Sequence, residues 1–110
     1  MQNNPRNISQ IIESVQTLEK WVGEYIAIDD WLCTSGRSYD RHQTRYGRMI
    51  LNVEEFFVRM SGAMATLGNN DQCIEFKVDA IQSIEKTDSE MLIEIRLSET
   101  IWRKIVLKKL

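Results

Sequence analysis

Long apolar runs, cysteine, proline and histidine are all scarce in this chain of 110 residues. No uncharged apolar stretch approaches the ~20 residues that a membrane-spanning helix needs, so we expect no transmembrane segment. The opening residues, MQNNPRNISQ, have neither the basic start nor the apolar core of a secretory signal. These two absences predict a cytoplasmic protein, and the chain length predicts a single domain, 1–110.

The scarcity of metal-binding and nucleophilic residues argues against several classes of enzyme. The chain has one histidine, His42, and two cysteines, Cys33 and Cys73, which form no CxxC pair. A disulfide between these thiols would need an oxidising compartment, so two free, buried thiols are the prediction for a cytoplasmic protein. The chain also lacks a P-loop, a G-x-G-x-x-G fingerprint, an H-E-x-x-H motif and a G-x-S-x-G elbow. We therefore expect no cofactor, no metal site and no catalytic residues.

Charge is distributed unevenly along the chain. The formal net charge of −2 gives no overall reason to expect a nucleic acid partner. Residues 34–48, however, hold four arginines and one aspartate. This local excess of positive charge is the strongest functional signal in the sequence.

The pattern of the first 23 residues predicts an amphipathic N-terminal helix. Asn7 can cap it, with Gln10 at the spacing of a capping box, and Gly23 is placed to end it. The apolar stripe at helical spacing consists of Ile8, Ile11, Ile12, Val15, Leu18 and Val22. Because an isolated helix of this length is marginal in water, its apolar face must pack on the rest of the domain, 24–110.

The last third of the chain predicts an antiparallel meander. CIEFKVDAI alternates apolar with charged residues, EMLIEIRL repeats that alternation after a polar turn, and IWRKIVLKKL closes the chain. The three tryptophans, Trp21, Trp31 and Trp102, are expected to lie in the core or to plug its ends, since an indole needs only one hydrogen-bond partner when buried.

The stretch RYGRMILNVEEFFVRM, residues 45–60, fits two structures. As a helix it presents one continuous apolar stripe as far as Leu67, with Gly68 to end it. As two strands it turns at residues 52–55, and β-branched and aromatic residues crowd its second arm, which favours strands. Local pattern alone leaves residues 47–67 undecided between a helix and a strand pair.

The order of these patterns decides for strands. A glycine-led strand, a polar turn and an aromatic strand precede VDAIQSIEK, MLIEIRL and WRKIVLKKL, an arrangement over residues 24–110 that resembles the GRAM and bacterial pleckstrin-homology-like families. Ile81 and Ile84 match the I-x-x-I step of those families. The chain lacks their C-terminal capping helix, a role that would fall to the N-terminal helix. A lipocalin-like barrel is the rival, because KWVGEY resembles its opening strand, although the chain is short for eight strands.

We therefore predict an α+β fold in which an N-terminal amphipathic helix packs on a curved antiparallel β-sheet or small β-barrel. The alternative is two N-terminal helices followed by a three-stranded antiparallel sheet.

The segment SGRSYDRHQTRYGR supplies the candidate binding residues. Arginine binds phosphate and carboxylate groups with two parallel hydrogen bonds, and interleaved aromatic rings can stack on guanidinium planes. The resemblance implies that this segment is the loop joining the first two strands, where the families often carry basic residues for inositol phosphates. The competing interpretation is a solvated loop whose arginines pair with nearby acids such as Asp29, Asp30 or Glu54. The predicted site residues are Arg37, Arg41, Arg45, Arg48, His42 and Tyr39.

Three functions follow from these patterns. The first is a non-catalytic binding module for an acidic protein or a phosphorylated or anionic ligand, held by the arginine-rich loop. The second is a magnesium-dependent nuclease, because Glu75 and Lys77 match the E-x-K fragment of restriction-endonuclease-like enzymes, although alternating charges on a wet strand produce the same fragment. The third is a structural subunit that buries the exposed side of its sheet in a homodimer.

Overall fold

The computed structural model describes residues 8–35, 41–59 and 63–110, with the backbone alone for residues 8, 35 and 41–46. The first element of the described residues is helix α1, and a 3₁₀ helix continues it. Eight strands follow in these described ranges, with a second short 3₁₀ helix between the fifth and the sixth. The elements are α1 Ile8–Gln16, 3₁₀ Thr17–Trp21, β1 Tyr25–Ser35, β2 Arg41–Asn52, β3 Glu55–Arg59, β4 Met64–Gly68, β5 Cys73–Lys77, 3₁₀ Val78–Ala80, β6 Ile81–Lys86, β7 Glu90–Arg96 and β8 Ile101–Lys109.

The strands form two antiparallel sheets. Sheet A has the order β2-β1-β8-β7-β6, and sheet B has the order β3-β4-β5. The predicted α+β fold, with an N-terminal amphipathic helix on antiparallel sheet, is therefore confirmed, and the alternative with a second N-terminal helix is wrong. The two sheets do not close into one barrel within the described residues, although these residues do form eight strands.

The N-terminal helical segment packs against both sheets. Helix α1 contacts β6, and the 3₁₀ helix that continues it contacts β3. Val15, Leu18 and Trp21 are buried, as the apolar stripe predicts, whereas Val22 lies exposed in the turn that follows. Gly23 has a φ of 96°, a left-handed conformation that favours glycine, and it ends the segment as predicted.

Two further sequence expectations concern the cap of the N-terminal helix and membrane-spanning segments. The predicted capping residue Asn7 lies outside the described residues. No helix in the described part of the chain is long and apolar enough to cross a membrane.

The ambiguous stretch from residue 45 forms strands, not a helix, but the two strands do not pair with each other. Strand β2 pairs with β1 in sheet A, and β3 pairs with β4 in sheet B. The corner between them is fixed by Val53, whose side chain is fully buried. Its backbone N–H donates to the carbonyl of Glu24 at 2.9 Å, and its carbonyl accepts from the N–H of Gly23 at 2.7 Å. The expected hairpin turn at residues 52–55 is therefore a crossing from one sheet to the other.

The predicted closing meander is confirmed for β7 and β8, which pair antiparallel, but its first strand is wrong. The pattern CIEFKVDAI is not one strand, because β5 ends at Lys77 and pairs with β4 in sheet B. A 3₁₀ helix follows, and β6 is the strand that pairs with β7. Ile81 pairs with Ile95 and Ile84 pairs with Ile93, and the register shift between them leaves Gln82 as an extra residue. Residues three apart lie on opposite faces of a regular strand, so this bulge is what lets both isoleucines face the core.

The core lies between the two sheets and under the helical segment. Burying apolar surface of this kind stabilises a fold by about 25 cal/mol per Å². Its largest members come from the inner face of sheet A, the inner face of sheet B and the helical segment. The fully buried large side chains are Phe76, Leu18, Ile26, Ile28, Leu67, Ile81, Met91, Ile93, Ile95, Ile105, Leu107 and Val15.

At the end of this core, Arg103 forms an ion pair within sheet A and a hydrogen bond to sheet B. The guanidinium of Arg103 on β8 donates from Nε to Asp30 Oδ1 at 3.0 Å and from Nη2 to Asp30 Oδ2 at 2.8 Å. Its Nη1 donates to the backbone carbonyl of Glu75 in sheet B at 2.9 Å. The side chains of Arg103 and Asp30 are only 18% and 13% exposed, so solvent screens this pair weakly.

We expect Arg103→Met to destabilise the protein by about 3 kcal/mol, because it leaves the Asp30 carboxylate largely buried without its partner. The free energy of unfolding, measured by urea denaturation, checks this. Lys77→Met, which breaks the exposed Lys77–Asp79 pair at 3.9 Å, is the control and should change stability by less than about 0.5 kcal/mol. A loss for Arg103→Met no larger than the control's would show that the contacts of Arg103 with Asp30 and with the Glu75 carbonyl do not stabilise the fold.

Candidate functional site

A bulge in the ladder between β1 and β2 shapes the predicted arginine-rich site. Asp30 pairs with Gly47, whereas its neighbour Trp31 pairs with Arg45, so Tyr46 is an extra residue on β2. In a regular strand, residues 45 and 48 would lie on opposite faces. The bulge reverses the alternation, and the register positions of Arg41, Arg45 and Arg48 consequently fall on one face of sheet A.

This face is the outer one, turned away from the core. Its residues on β1 alternate with the buried Ile26 and Ile28 of the inner face. Cross-strand pairing arranges them in rows, such as Arg45, Trp31 and Lys104, followed by Glu94. We use the name basic face for the arginine-rich side of this surface, made of Arg41, Arg45, Arg48, Trp31, Trp102 and Lys104.

Two tryptophans of the basic face lie under cationic side chains. The Nζ of Lys104 lies 5.2 Å from the centroid of the Trp31 ring, and the guanidinium carbon of Arg96 lies 5.5 Å from the Trp102 ring. Each contact is within the range in which a cation is attracted to an aromatic face. Both indoles are half-buried, and Tyr25 and Ile50 farther along the same outer face are 60% and 57% exposed.

The structure places only part of the predicted site on this face. Arg37 and Tyr39 lie outside the described residues, in the segment 36–40 that joins β1 to β2. His42 pairs with Thr34, at a register position on the inner side of the sheet, so it does not share the face of the arginines. The predicted loop is shorter than expected, because residues from 41 onward belong to strand β2.

Arg48 fits the competing interpretation, in which the arginines pair with nearby acids. Its Nε lies 3.5 Å from Asp29 Oδ1, and its side chain is more than half exposed. An exposed pair at this distance contributes little to stability. It partly neutralises the charge of Arg48, whose direct partner in the β1–β2 ladder is Asp29.

The prediction that all three tryptophans lie in the core or plug its ends was wrong for two of them. Trp21 is buried, with 5% of its surface exposed, and it closes one end of the core. Trp31 and Trp102 lie on the outer face instead. A signal was present in the sequence, because Trp31 is an odd number of residues from the buried Ile26 and Ile28, which places it on the opposite face of one continuous strand.

The E-x-K fragment lies on the solvent-exposed face of a strand, the arrangement that alternating charged residues produce. Glu75 and Lys77 are exposed on β5. Glu75 accepts a hydrogen bond from the Thr66 hydroxyl at 3.0 Å and lies 3.7 Å from Arg59. Among the described residues, no three His, Cys, Asp or Glu side chains converge to hold a metal ion.

The two cysteines are free and lie on different sheets. Cys33 is half-buried in β1 opposite Trp102, and Cys73 is exposed at the start of β5. The predicted free thiols are therefore confirmed. The expected burial of both is wrong, because Cys73 lies on the solvent-exposed face of β5.

Comparison of the chain with models of known protein families, with curated proteins and with solved structures finds no match.

The charge of the basic face predicts a selective effect on tryptophan fluorescence. At low ionic strength we expect the ratio of iodide to caesium quenching constants to be higher for the two half-buried indoles than for free N-acetyltryptophanamide, since nearby cations concentrate the anion. Trp21→Phe removes the buried indole, so that the remaining signal comes from Trp31 and Trp102. At about 0.5 M salt, where screening is strong, the ratio should fall to that of the free compound. A ratio equal to that of the free compound at low salt would mean that the face carries no local positive potential.

Proposed function

We propose that this domain is a non-catalytic binding module that takes an extended acidic segment of a partner protein along strand β2 and the adjoining basic face. The observation that carries the proposal is the bulge at Tyr46, which brings the register positions of three arginines to one face of one strand. A regular strand would have divided the same residues between two faces.

Charge supports an acidic ligand. Successive residues of an extended chain rise by about 3.3 Å, so Arg41 and Arg45 are about 13 Å apart along β2. A partner segment in extended conformation has the same rise, and its carboxylates can therefore meet these guanidinium groups in step. Paired guanidinium and carboxylate groups form charge-assisted hydrogen bonds with two parallel N–H donors.

The position of β2 supports an extended ligand. β2 is an edge strand of sheet A, and in the described ranges it pairs only with β1. An edge strand offers a row of backbone N–H and C=O groups to an added strand, which is a recurring mode of peptide recognition. At 12 residues, β2 is long enough to align a peptide over its whole arginine-bearing length.

The indoles and the resemblance to pleckstrin-homology-like domains add further support. Trp31 and Trp102 offer half-exposed apolar area next to the cations, and aromatic and arginine side chains are typical of binding hot spots. The resemblance implies basic residues at the junction of the first two strands, where Arg41 begins β2.

Arg41→Ala combined with Arg45→Ala tests the proposal. We expect the pair to weaken binding of a fluorescein-labelled oligoglutamate peptide about tenfold at low salt, through the loss of two charge-assisted contacts. Fluorescence anisotropy gives the affinity, and the free energy of unfolding should change by less than about 0.5 kcal/mol because both positions lie on the outer face.

Arg59→Ala combined with Lys77→Ala is the matched control, because it removes the same charge from exposed positions on sheet B. It should leave the affinity within about twofold. The proposal is overturned if both double variants weaken the peptide equally, or if wild-type protein binds single-stranded oligothymidylate more tightly than the peptide.

A second candidate function is pairing of two copies through their outer faces. The rows that begin with arginine on β2 end with acids on β6 and β7, where Glu85, Glu90 and Glu94 lie on the same outer face. A two-fold axis parallel to the strands would place β2 of each copy over the acidic strands of the other. Tyr25 and Ile50 supply exposed apolar surface for such an interface.

The homodimer is tested by sedimentation velocity at two protein concentrations. We expect Glu85→Lys combined with Glu90→Lys to yield monomer where the wild type gives dimer, because like charges would then face each other. Glu24→Lys combined with Glu55→Lys reverses the same charge at exposed positions and should leave the dimer intact. A wild-type monomer at both concentrations would eliminate this function.

A further inference from the structure

A cleft on the inner side of the fold brings together three lysines that are far apart in sequence. Its volume is about 360 Å³, and it lies where the first 3₁₀ helix, the turn between β6 and β7 and the end of β8 meet. The residues that line it are Thr17, Lys20, Trp21, Lys86, Thr87, Asp88 and Lys109.

The floor of the cleft is rigid. Trp21 is buried, and the Nζ of Lys109 lies 5.3 Å from the centroid of its ring. The backbone N–H of Lys109 donates to the carbonyl of Ser89 at 2.8 Å, which fixes the end of β8 against the turn between β6 and β7. The positions of Lys86 and Lys109 relative to each other are therefore set by backbone hydrogen bonds as well as by packing.

The lining has an excess of positive charge. Three ammonium groups share the cleft with a single carboxylate, that of Asp88. No carboxylate of a described residue lies within ion-pair distance of Lys20, Lys86 or Lys109. Packing alone does not call for this arrangement, since one apolar side chain would cover the Trp21 ring as well as Lys109 does.

Two hydroxyl groups complete the polar lining. The oxygen of Thr87 accepts hydrogen bonds from the backbone N–H groups of Ser89 and Glu90, at 3.3 and 3.1 Å, so its own proton remains available to a ligand. The Thr17 hydroxyl donates to the carbonyl of Ser14 at 2.6 Å, which leaves its oxygen as an acceptor. Most polar groups that line the cleft are therefore hydrogen-bond donors, and the Thr17 oxygen is an additional acceptor.

We propose that this cleft binds a small phosphomonoester, with Lys20, Lys86 and the Thr87 hydroxyl donating to the phosphoryl oxygens and Lys109 contributing charge from the floor. A phosphomonoester carries about −1.5 to −2 charges at neutral pH, which matches the net charge of the lining. The volume lies at the lower end of the range for small-molecule sites, so a few carbon atoms fit beside the phosphoryl group. This site is independent of the basic face, because it uses none of the same residues.

Glycerol 2-phosphate is the probe for this site, titrated at constant ionic strength while backbone amide shifts are followed by NMR. We expect saturable shifts at Lys86, Thr87 and Asp88, none with glycerol, and weaker binding at pH 5 than at pH 7.5, because the second ionisation of the ligand lies near pH 6. A phosphoserine peptide in place of the probe distinguishes the source: shifts at the same amides with higher affinity would assign the cleft to a phosphorylated protein segment and overturn the small-molecule proposal.

Lys20→Gln combined with Lys86→Gln should weaken the probe about tenfold. Lys77→Gln combined with Lys108→Gln removes the same charge from exposed positions outside the cleft and should leave the affinity within about twofold. Shifts that do not saturate, or equal weakening in both double variants, would mean that the phosphomonoester meets only the general charge of the surface, and the site would be rejected.

Discussion

The guanidinium of Arg103 is the contact on which the relation between the two sheets depends. It binds Asp30, 73 positions earlier in the chain, and the carbonyl of Glu75, 28 positions earlier. Hydrophobic burial between the sheets is larger in total, but it is not directional and tolerates sliding. A planar group with donors fixed at defined angles does not, so Arg103 sets where β5 lies against the pair of β1 and β8.

Two β-bulges, one on β6 and one on β2, change which residues share a face of their strand. On β6 the extra residue Gln82 turns Ile81 and Ile84 toward the same core, so a spacing of three becomes compatible with a strand. On β2 the extra residue Tyr46 does the same for Arg45 and Arg48 on the outer face. One bulge therefore serves burial and the other concentrates charge, by the same reversal of the two-residue alternation.

Two clusters of positive charge stand out among the described residues of this acidic chain. The basic face carries it on an open sheet next to an edge strand, a geometry suited to an extended partner. The lysine cleft carries it in a concave site with a rigid floor, a geometry suited to a compact anion. Acidic residues lie at the far side of the outer face, on β6 and β7, so the molecule presents a strong charge gradient although its net charge is only −2. Such a gradient orients charged partners before contact.

Local pattern in the sequence determined the N-terminal helical segment, its end at Gly23, strands β7 and β8 and the existence of the arginine cluster, because periodicity and turn residues act over a few positions. The strand structure of residues 47–59 needed the order of the whole chain as well. Tertiary structure alone decided that β2 and β3 join different sheets, since Val53 is held by the backbone of Gly23 and Glu24, some 30 residues away. It also decided that Trp31 and Trp102 lie on the outer face, where Trp31 pairs with Arg45 in the ladder, and that Lys20, Lys86 and Lys109 meet in one cleft. These outcomes rest on register shifts and on contacts between distant segments, and no local alternation of residue types encodes either one.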